Sequence, residues 1–276
     1  MYGIIGLGWL GWPLAQYWAA EGLPVWGTHT QPERFHPNVS PLIQQAQLRL
    51  DSDAGDILPP CPEQVQYWVI NIPPRLRAGA TDYPAQMARL VTWMYDRRTI
   101  LPPYVILISS TSVYPDVSTH VSEVDAIPNP EDENLLLQAE YLMQQAFGNQ
   151  LTILRCGGLM GYERIPGKYY RGKKDLPGAD VPVNYVHRDD VVQIIHQIIQ
   201  QKHWGDVFNV VAPQHPTRQA VISQSIADCG WEEAQFNDTK ILPHKVVLAD
   251  KLQTKLGYKF LYPDPLHFSY TPSLAS

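Results

Sequence analysis

Cysteine is scarce in this chain of 276 residues: there are three, Cys61, Cys156 and Cys229. They are odd in number, far apart and form no C-x-x-C pair, so a disulfide framework is excluded and reduced, mostly buried thiols are expected. A concentration of basic charge is also missing. Lys and Arg number 21 against 27 Asp and Glu, a net charge of -6, and no basic block interrupts the chain. That balance argues against nucleic acid as a partner. No apolar run approaches the length of a membrane span, and no basic segment precedes the first apolar residues. We therefore expect no membrane partner and no leader, and the expected compartment is the cytoplasm. There is no internal repeat and no low-complexity tract. What remains is a 45% apolar chain, long enough to bury one large core or two intimate ones.

The most informative segment is Gly6-Leu7-Gly8-Trp9-Leu10-Gly11, placed directly after the apolar run Met1–Ile5 and before Trp12–Trp18 in helical rhythm. A G-x-G-x-x-G triplet between a buried strand and a helix predicts a dinucleotide site. The physics lies in missing side chains. Gly6 permits the tight turn, Gly8 lets backbone approach a pyrophosphate, and Gly11 lets the helix pack on the strand, so the phosphates rest at the positive helix end. Pro13 suits a first helical turn because its absent N–H would be unpaired there anyway.

Beyond it, strand and helix patterns alternate, which predicts a parallel sheet covered on both faces. Strands are expected at Pro24–Thr28, Leu48–Leu50, Tyr67–Asn71, Tyr104–Ile108, Leu151–Arg155 and Val207–Val211, with helices at Asp82–Arg98, Leu135–Phe147 and Val191–Gln201. Residues 158–182 are rich in Gly, Tyr and Lys without periodicity. After Ala212 the pattern gives one helix near 217–229 among proline-broken segments. The expected architecture is α/β, a Rossmann-type doubly wound parallel sheet with a smaller C-terminal substrate lobe. Residues 1–157 and 183–212 form the dinucleotide-binding domain in this reading, and 158–182 and 213–276 the lobe.

Cofactor choice is read from the end of the second strand. A fold selecting NAD usually places an acid there for the ribose 2′-hydroxyl, and Gly27-Thr28-His29-Thr30-Gln31 has none. Thr28 and Thr30, with His29 and Arg34 near by, suit a 2′-phosphate instead, so NADP is preferred over NAD. Asp51, past the third strand, is placed to bond the adenine amino group or to cap a turn. Asn71 and Pro73, where the fourth strand ends, complete the expected cofactor residues.

Ser109-Ser110-Thr111-Ser112-Val113-Tyr114 follows the fifth strand and resembles the serine motif of extended short-chain dehydrogenases and reductases, the NAD-dependent epimerase and dehydratase group. Three later stretches resemble that family in order: Leu154–Gly161, Val183–Val191 and Phe208–Val210. The resemblance covers most of residues 1–212 and implies that Ser110 is the serine that polarises a substrate carbonyl. A cluster of small hydroxyls capping the strand end is the alternative. The family's Tyr and Lys, four residues apart on the helix after this strand, fall on Asp132 and Leu136 when its following acid is set on Glu140. Neither serves. Tyr141 is followed at that spacing by Gln145, and the pairs Tyr169/Lys173 and Tyr170/Lys174 lie among glycines that oppose a helix. The chain therefore resembles an atypical branch that keeps the fold and the serine segment without the Tyr-x-x-x-Lys pair. Ser112 then assists Ser110, and Tyr114 or a water handles the proton.

Residues Arg164, Lys168, Tyr169 and Arg171 read as a mobile aromatic and basic loop, either binding an anionic substrate such as a nucleotide sugar or simply solvated. His187 either faces the cleft as a substrate ligand or is a satisfied structural residue. Asp189 and Asp190 suit a helix N-terminus, and without a His or Cys at ligand spacing no metal is expected. Two functions follow: an NAD(P)-dependent oxidoreductase or sugar-nucleotide epimerase acting on a small carbonyl compound, or an NADP-binding redox sensor without turnover. Either is expected as a monomer or homodimer.

Overall fold

The computed structural model describes residues 1–50, 55–74, 81–96, 103–237 and 239–271. Asp51 lies outside them. The first strand, β1 (Tyr2–Ile5), is followed by α1 (Gly11–Ala20), β2 (Val25–His29), β3 (Ile43–Gln47), β4 (Tyr67–Ile70), α2 (Tyr83–Tyr95) and β5 (Tyr104–Ser110). After these come β6 (His120–Val121), α3 (Leu135–Phe147), β7 (Leu151–Cys156), β8 (Gly158–Met160), β9 (Tyr185–His187), α4 (Arg188–Gln201), β10 (Val207–Val210), α5 (Arg218–Asp228), β11 (Val246–Val247) and α6 (Asp250–Leu256).

Seven strands form the central parallel sheet in the order β10-β7-β5-β4-β1-β2-β3, the doubly wound α/β fold that the alternation implied. Strands such as Tyr104–Ser110 read as unbroken apolar runs because helices cover both faces. The register sets Tyr2 opposite Val25 on one side and Tyr67 on the other. The chain winds outward from β1 through β2 and β3, then restarts beside β1 with β4. Strand order thus reverses between β1 and β4, where open α/β folds form their ligand crevice at the carboxyl ends of the strands.

One strand was misplaced by the sequence pattern. The third strand is Ile43–Gln47, not Leu48–Leu50. It is an edge strand of mostly polar residues, so no apolar run marks it. Leu48 only continues its pairing, N–H to the His29 carbonyl at 2.9 Å.

By compactness the chain divides into Met1–Ser109, Ile127–Leu154 and Ile195–Val207 as a first unit, and Ser110–Ala126, Arg155–Ile194 and Phe208–Ser276 as a second. In the second unit Arg155 ties strand-end segments together. Its guanidinium is fully buried and donates to the Tyr114 hydroxyl at 2.9 Å and to the carbonyls of Glu123 at 3.2 Å and Ala126 at 2.8 Å. Within the second unit β8 pairs with β9 and β11 with β6, all parallel. The helix α6, which the sequence pattern passed over, buries Leu252 and Leu256 and ends on Gly257 at φ +64°.

Part of the stretch read as an aromatic and basic loop forms a short turn. After β8 a 3-10 turn over Pro166–Tyr169 buries Pro166 and Gly167, and the Gly167 N–H donates to the buried Ser225 hydroxyl at 2.9 Å.

Candidate functional site

The turn after β1 has the geometry its glycines allow. Gly6 sits at φ +100°, and a Cβ there would press on the Asn71 carbonyl at 2.6 Å. At Gly11 a Cβ would collide with the Gly6 carbonyl and approach Ile4 Cγ2 at 3.1 Å, so α1 lies hard against β1. Gly8 is the opposite case. It is exposed, and a Cβ there would meet nothing within 4 Å, which leaves its backbone open to a ligand. Leu7 and Leu10 are buried in the core, so only their backbone groups can serve a ligand.

A crevice of about 380 Å³ opens beside this turn, between the carboxyl ends of β1, β2 and β4 and the chain leaving β3. Its size is that of a small-ligand pocket. It is lined by Gly6, Thr28, His29, Thr30, Arg34, Asn71 and Pro73, all named in the sequence reading of the cofactor site, and also by Gln31, Arg49 and Gln86, which the sequence did not single out for contact. Gly8, Trp9, Leu10 and Gly11 are not among its lining residues.

Thr28 has a different first task from the one expected. It is 2% exposed, its hydroxyl accepts the Gly6 N–H at 3.1 Å and its carbonyl accepts the Leu7 N–H at 2.7 Å. It thereby holds the glycine turn. Asn71 braces the other side: its N–H donates to the Ile5 carbonyl at 2.9 Å and its side-chain amide to the Gly6 carbonyl at 3.3 Å. His29 is nearly buried, with Nε2 3.0 Å from Gln45 Oε1, and burial lowers its pKa below the usual imidazole value. Gln45 also grips the backbone of His36 in both directions, at 2.9 Å each. The His36 ring stacks on Trp12 of α1 with centroids 3.6 Å apart. The segment carrying Arg34, in a 3-10 turn over Pro32–Arg34, is therefore pinned at its far end.

Among the serines, Ser110 ends β5. Its hydroxyl accepts from the Ser112 N–H at 3.2 Å and from the Ser112 hydroxyl at 3.0 Å. A hydroxyl has two acceptor positions and one proton, so with both positions filled the Ser110 proton is left to donate. Ser109 instead donates to the fully buried Glu140 at 2.6 Å.

Tyr114 does not fit the role of proton donor. It is 2% exposed, donates to Asn209 Oδ1 at 2.7 Å and accepts from Arg155. Burial raises its pKa. Its hydroxyl is spent inside the cluster that Arg155 organises, and Lys245 donates to its carbonyl at 2.6 Å. Neither Arg155 nor Lys245 was expected as an organiser, because each acts through partners remote in the chain. On the helix after the serines, Asp132 lies ahead of α3 and its carboxylate accepts the Asn134 N–H at 2.8 Å, while Leu136 is buried.

His187 is likewise internal. It is fully buried, its ring lies 3.8 Å from that of Tyr262, and its Nδ1 faces the Asp189 N–H at 3.3 Å. Burial lowers its pKa. A buried ring enclosed by Tyr262, Phe268 and Gly161 is a structural residue, which corrects its assignment to substrate. The neighbouring Asp190 accepts from the Tyr258 hydroxyl and the Leu261 N–H, both at 2.7 Å, and from the Tyr262 N–H at 3.1 Å. Burial raises its pKa despite these bonds.

Of the four residues read as able to bind an anionic substrate, Lys168 lies in the turn after β8, Arg164 and Tyr169 interact electrostatically, and half-burial lowers the Arg164 pKa. Tyr169 is exposed. Arg171 turns elsewhere, over the Trp231 ring at 5.2 Å. Arg188 stacks at 3.7 Å over Tyr162, a non-glycine residue at φ +54°.

No family model matches the chain. The protein YeeZ of Escherichia coli strain K12 is 33% identical over 273 residues, 95% of this chain and 96% of its own length. Among solved structures, MoeE5 in complex with UDP-glucuronic acid and NAD superposes with a TM-score of 0.75 at 17% identity, over 97% of each chain. The human epimerase family protein SDR39U1 with NADPH gives a TM-score of 0.66 at 15% identity, over 96% of each. Both share the fold of this chain over nearly its whole length. With one third of its residues identical to YeeZ over nearly the whole of both chains, this chain belongs to the YeeZ family.

Proposed function

We propose that the chain is an NAD(P)-dependent protein of the epimerase and dehydratase type, acting on a nucleotide sugar or another small carbonyl compound. One observation carries this reading: at the β1/β4 reversal a positive-φ Gly6, an unobstructed Gly8 and a close-packed Gly11 stand beside a crevice of about 380 Å³. That is the arrangement a pyrophosphate and its ribose need. The fit is supported by the space over Gly8, which any side chain would reduce. It is also supported by structural neighbours that carry NAD or NADPH. NADP is the preferred form in this reading, because Thr30 and Arg34 line the crevice where an NAD-selective site would place an acid.

The bound nicotinamide would accept or donate hydride. The chain's own part begins with the glycine turn, held by Thr28 and Asn71, which positions the phosphates. Ser110, whose oxygen is already filled by Ser112, would direct its proton to the substrate carbonyl and stabilise negative charge there. With Tyr114 spent in the Arg155 cluster and Asp132 and Leu136 unsuited, the proton is handled by water in this scheme. Arg164 and Tyr169 are the second unit's candidates to meet an anionic group in this reading. Three free cysteines accord with a reducing, cytoplasmic setting.

Cofactor titration and a screen for cofactor oxidation or reduction with nucleotide sugars and carbonyl compounds test the proposal. Ser110→Ala should leave dinucleotide affinity within about twofold and lower turnover by about 10²–10³, the usual loss of one such donor. Failure of both NADPH and NADH to bind would overturn it. The second reading, a redox sensor without turnover, is favoured by the sequestered Tyr114 hydroxyl. Tight binding, no turnover across the screen and no effect of Ser110→Ala would select it.

A further inference from the structure

The crevice walls carry an electrical asymmetry that the glycine turn does not explain. In a chain of net charge -6, the crevice lining includes two arginines and a histidine and, among the described residues, no carboxylate. Arg34 comes from the turn after β2, and Arg49 from the chain leaving β3. Arg49 is fixed by its backbone: its N–H donates to the Ile57 carbonyl at 2.9 Å, and the Ile57 N–H donates back at 2.8 Å. Its Nε is buried and, among the described residues, has no hydrogen-bond partner. A buried guanidinium N–H without an acceptor is costly to leave so, unless an acceptor arrives from outside the chain.

From this we infer that Arg49 and Arg34 are the two arms of a clamp for a phosphate monoester, and that Arg49 is the residue that makes the site read the 2′-phosphate of NADP. The inference rests on the dinucleotide reading and deepens it. A monoester carries close to two negative charges at neutral pH and three acceptor oxygens. Two guanidinium groups, each able to present paired N–H donors, satisfy both features as a single lysine cannot. Arg34 is exposed and held on a pinned turn, whereas Arg49 is half-buried and anchored by backbone. Arg49 therefore supplies the geometry, and Arg34 mainly adds charge.

The test uses the full chain and calorimetric titration with NADPH, NADH, adenosine 2′,5′-bisphosphate and 5′-ADP. Wild type should bind NADPH at least about tenfold tighter than NADH, and the 2′,5′-bisphosphate tighter than 5′-ADP. Arg49→Met should weaken NADPH and the bisphosphate about 10- to 100-fold while NADH changes less than about threefold, in keeping with loss of a charged hydrogen bond. Arg49→Lys should recover only part of that loss, and Arg34→Met should cost less than Arg49→Met. The lysine variant keeps the charge and the stem, so it decides the matter if the methionine variant does not fold. NADPH and NADH binding equally, or Arg49 variants weakening both alike, would overturn the clamp and leave the dinucleotide reading standing. Absence of binding by every nucleotide overturns both.

Discussion

The two units use polar side chains in opposite ways. In the first, Thr30, Arg34 and Arg49, on the chain leaving strands, line an open crevice on backbone that is pinned near by, at His36 and at Ile57. The second takes in the polar residues a sequence reader would choose for chemistry, Tyr114, His187 and Asp190, and buries all three with partners inside the protein. A polar residue in a chemically suggestive stretch is thus informative only with its neighbours known. An open crevice keeps its polar groups for a ligand, whereas a buried cluster uses them for stability.

The largest effect should come from breaking the buried cluster. Arg155→Ala removes the donor to three acceptors, Tyr114, Glu123 and Ala126, in a place without access to water. Unfolding free energy should fall by roughly 3–5 kcal/mol, read from urea denaturation. Tyr114→Phe loses the bond to Asn209 and the one from Arg155 and should lose less, roughly 1–3 kcal/mol, with NADPH affinity kept within about twofold. If Tyr114→Phe instead abolished turnover in a stable protein, the division between a structural second-unit cluster and an open first-unit crevice would collapse.

Much of the first unit was legible in the sequence because its signals are local. The glycine turn, the apolar strand Tyr104–Ser110 and the helix Leu135–Phe147 each rest on spacing within a dozen residues. The edge strand Ile43–Gln47 was misplaced because its residues are polar and its single neighbour leaves no apolar pattern. In the second unit the deciding contacts span the chain. Tyr114 meets Asn209 across 95 positions, Arg155 meets Tyr114 across 41, and Asp190 meets Tyr258 across 68. No periodicity records such pairs. Arg49 was missed for a related reason: its place in the crevice wall follows from where β3 ends, and that strand was set too late.

A middle-sized effect should separate packing from binding within the glycine turn. Gly11→Ala places a methyl against the Gly6 carbonyl and Ile4, so it should destabilise the fold by about 1–3 kcal/mol through overpacking and weaken NADPH as a consequence. Gly8→Ala meets no protein atom within 4 Å. It should leave the melting temperature nearly unchanged and still weaken NADPH on the order of tenfold, since the new methyl would stand where the proposed function sets the pyrophosphate. Thermal melts and titrations on the two variants together read the contrast. Equal loss of stability at both positions would mean that the turn serves the fold alone.

The smallest effect is a shared response to acid, and it tests whether the two units are alike when no ligand is bound. Burial lowers the pKa of His29 and His36 in the first unit and of His187 and His215 in the second, from an ordinary value of 6.5. Each binds its proton more readily in the unfolded chain than in the folded one. Stability from these groups is therefore complete above pH 6.5 and is lost as pH falls below it. Asp190 acts in the opposite sense in a lower window, because its folded pKa is raised above the ordinary 3.8 and its protonation relieves a buried charge. The melting temperature should accordingly fall by several degrees between pH 7 and pH 5. His187→Gln and His29→Gln should each flatten that slope by a part, whatever they do to stability at neutral pH. If only one of the two flattens it, the acid response belongs to that unit, and the histidine of the other binds its proton equally well in the folded and unfolded chain.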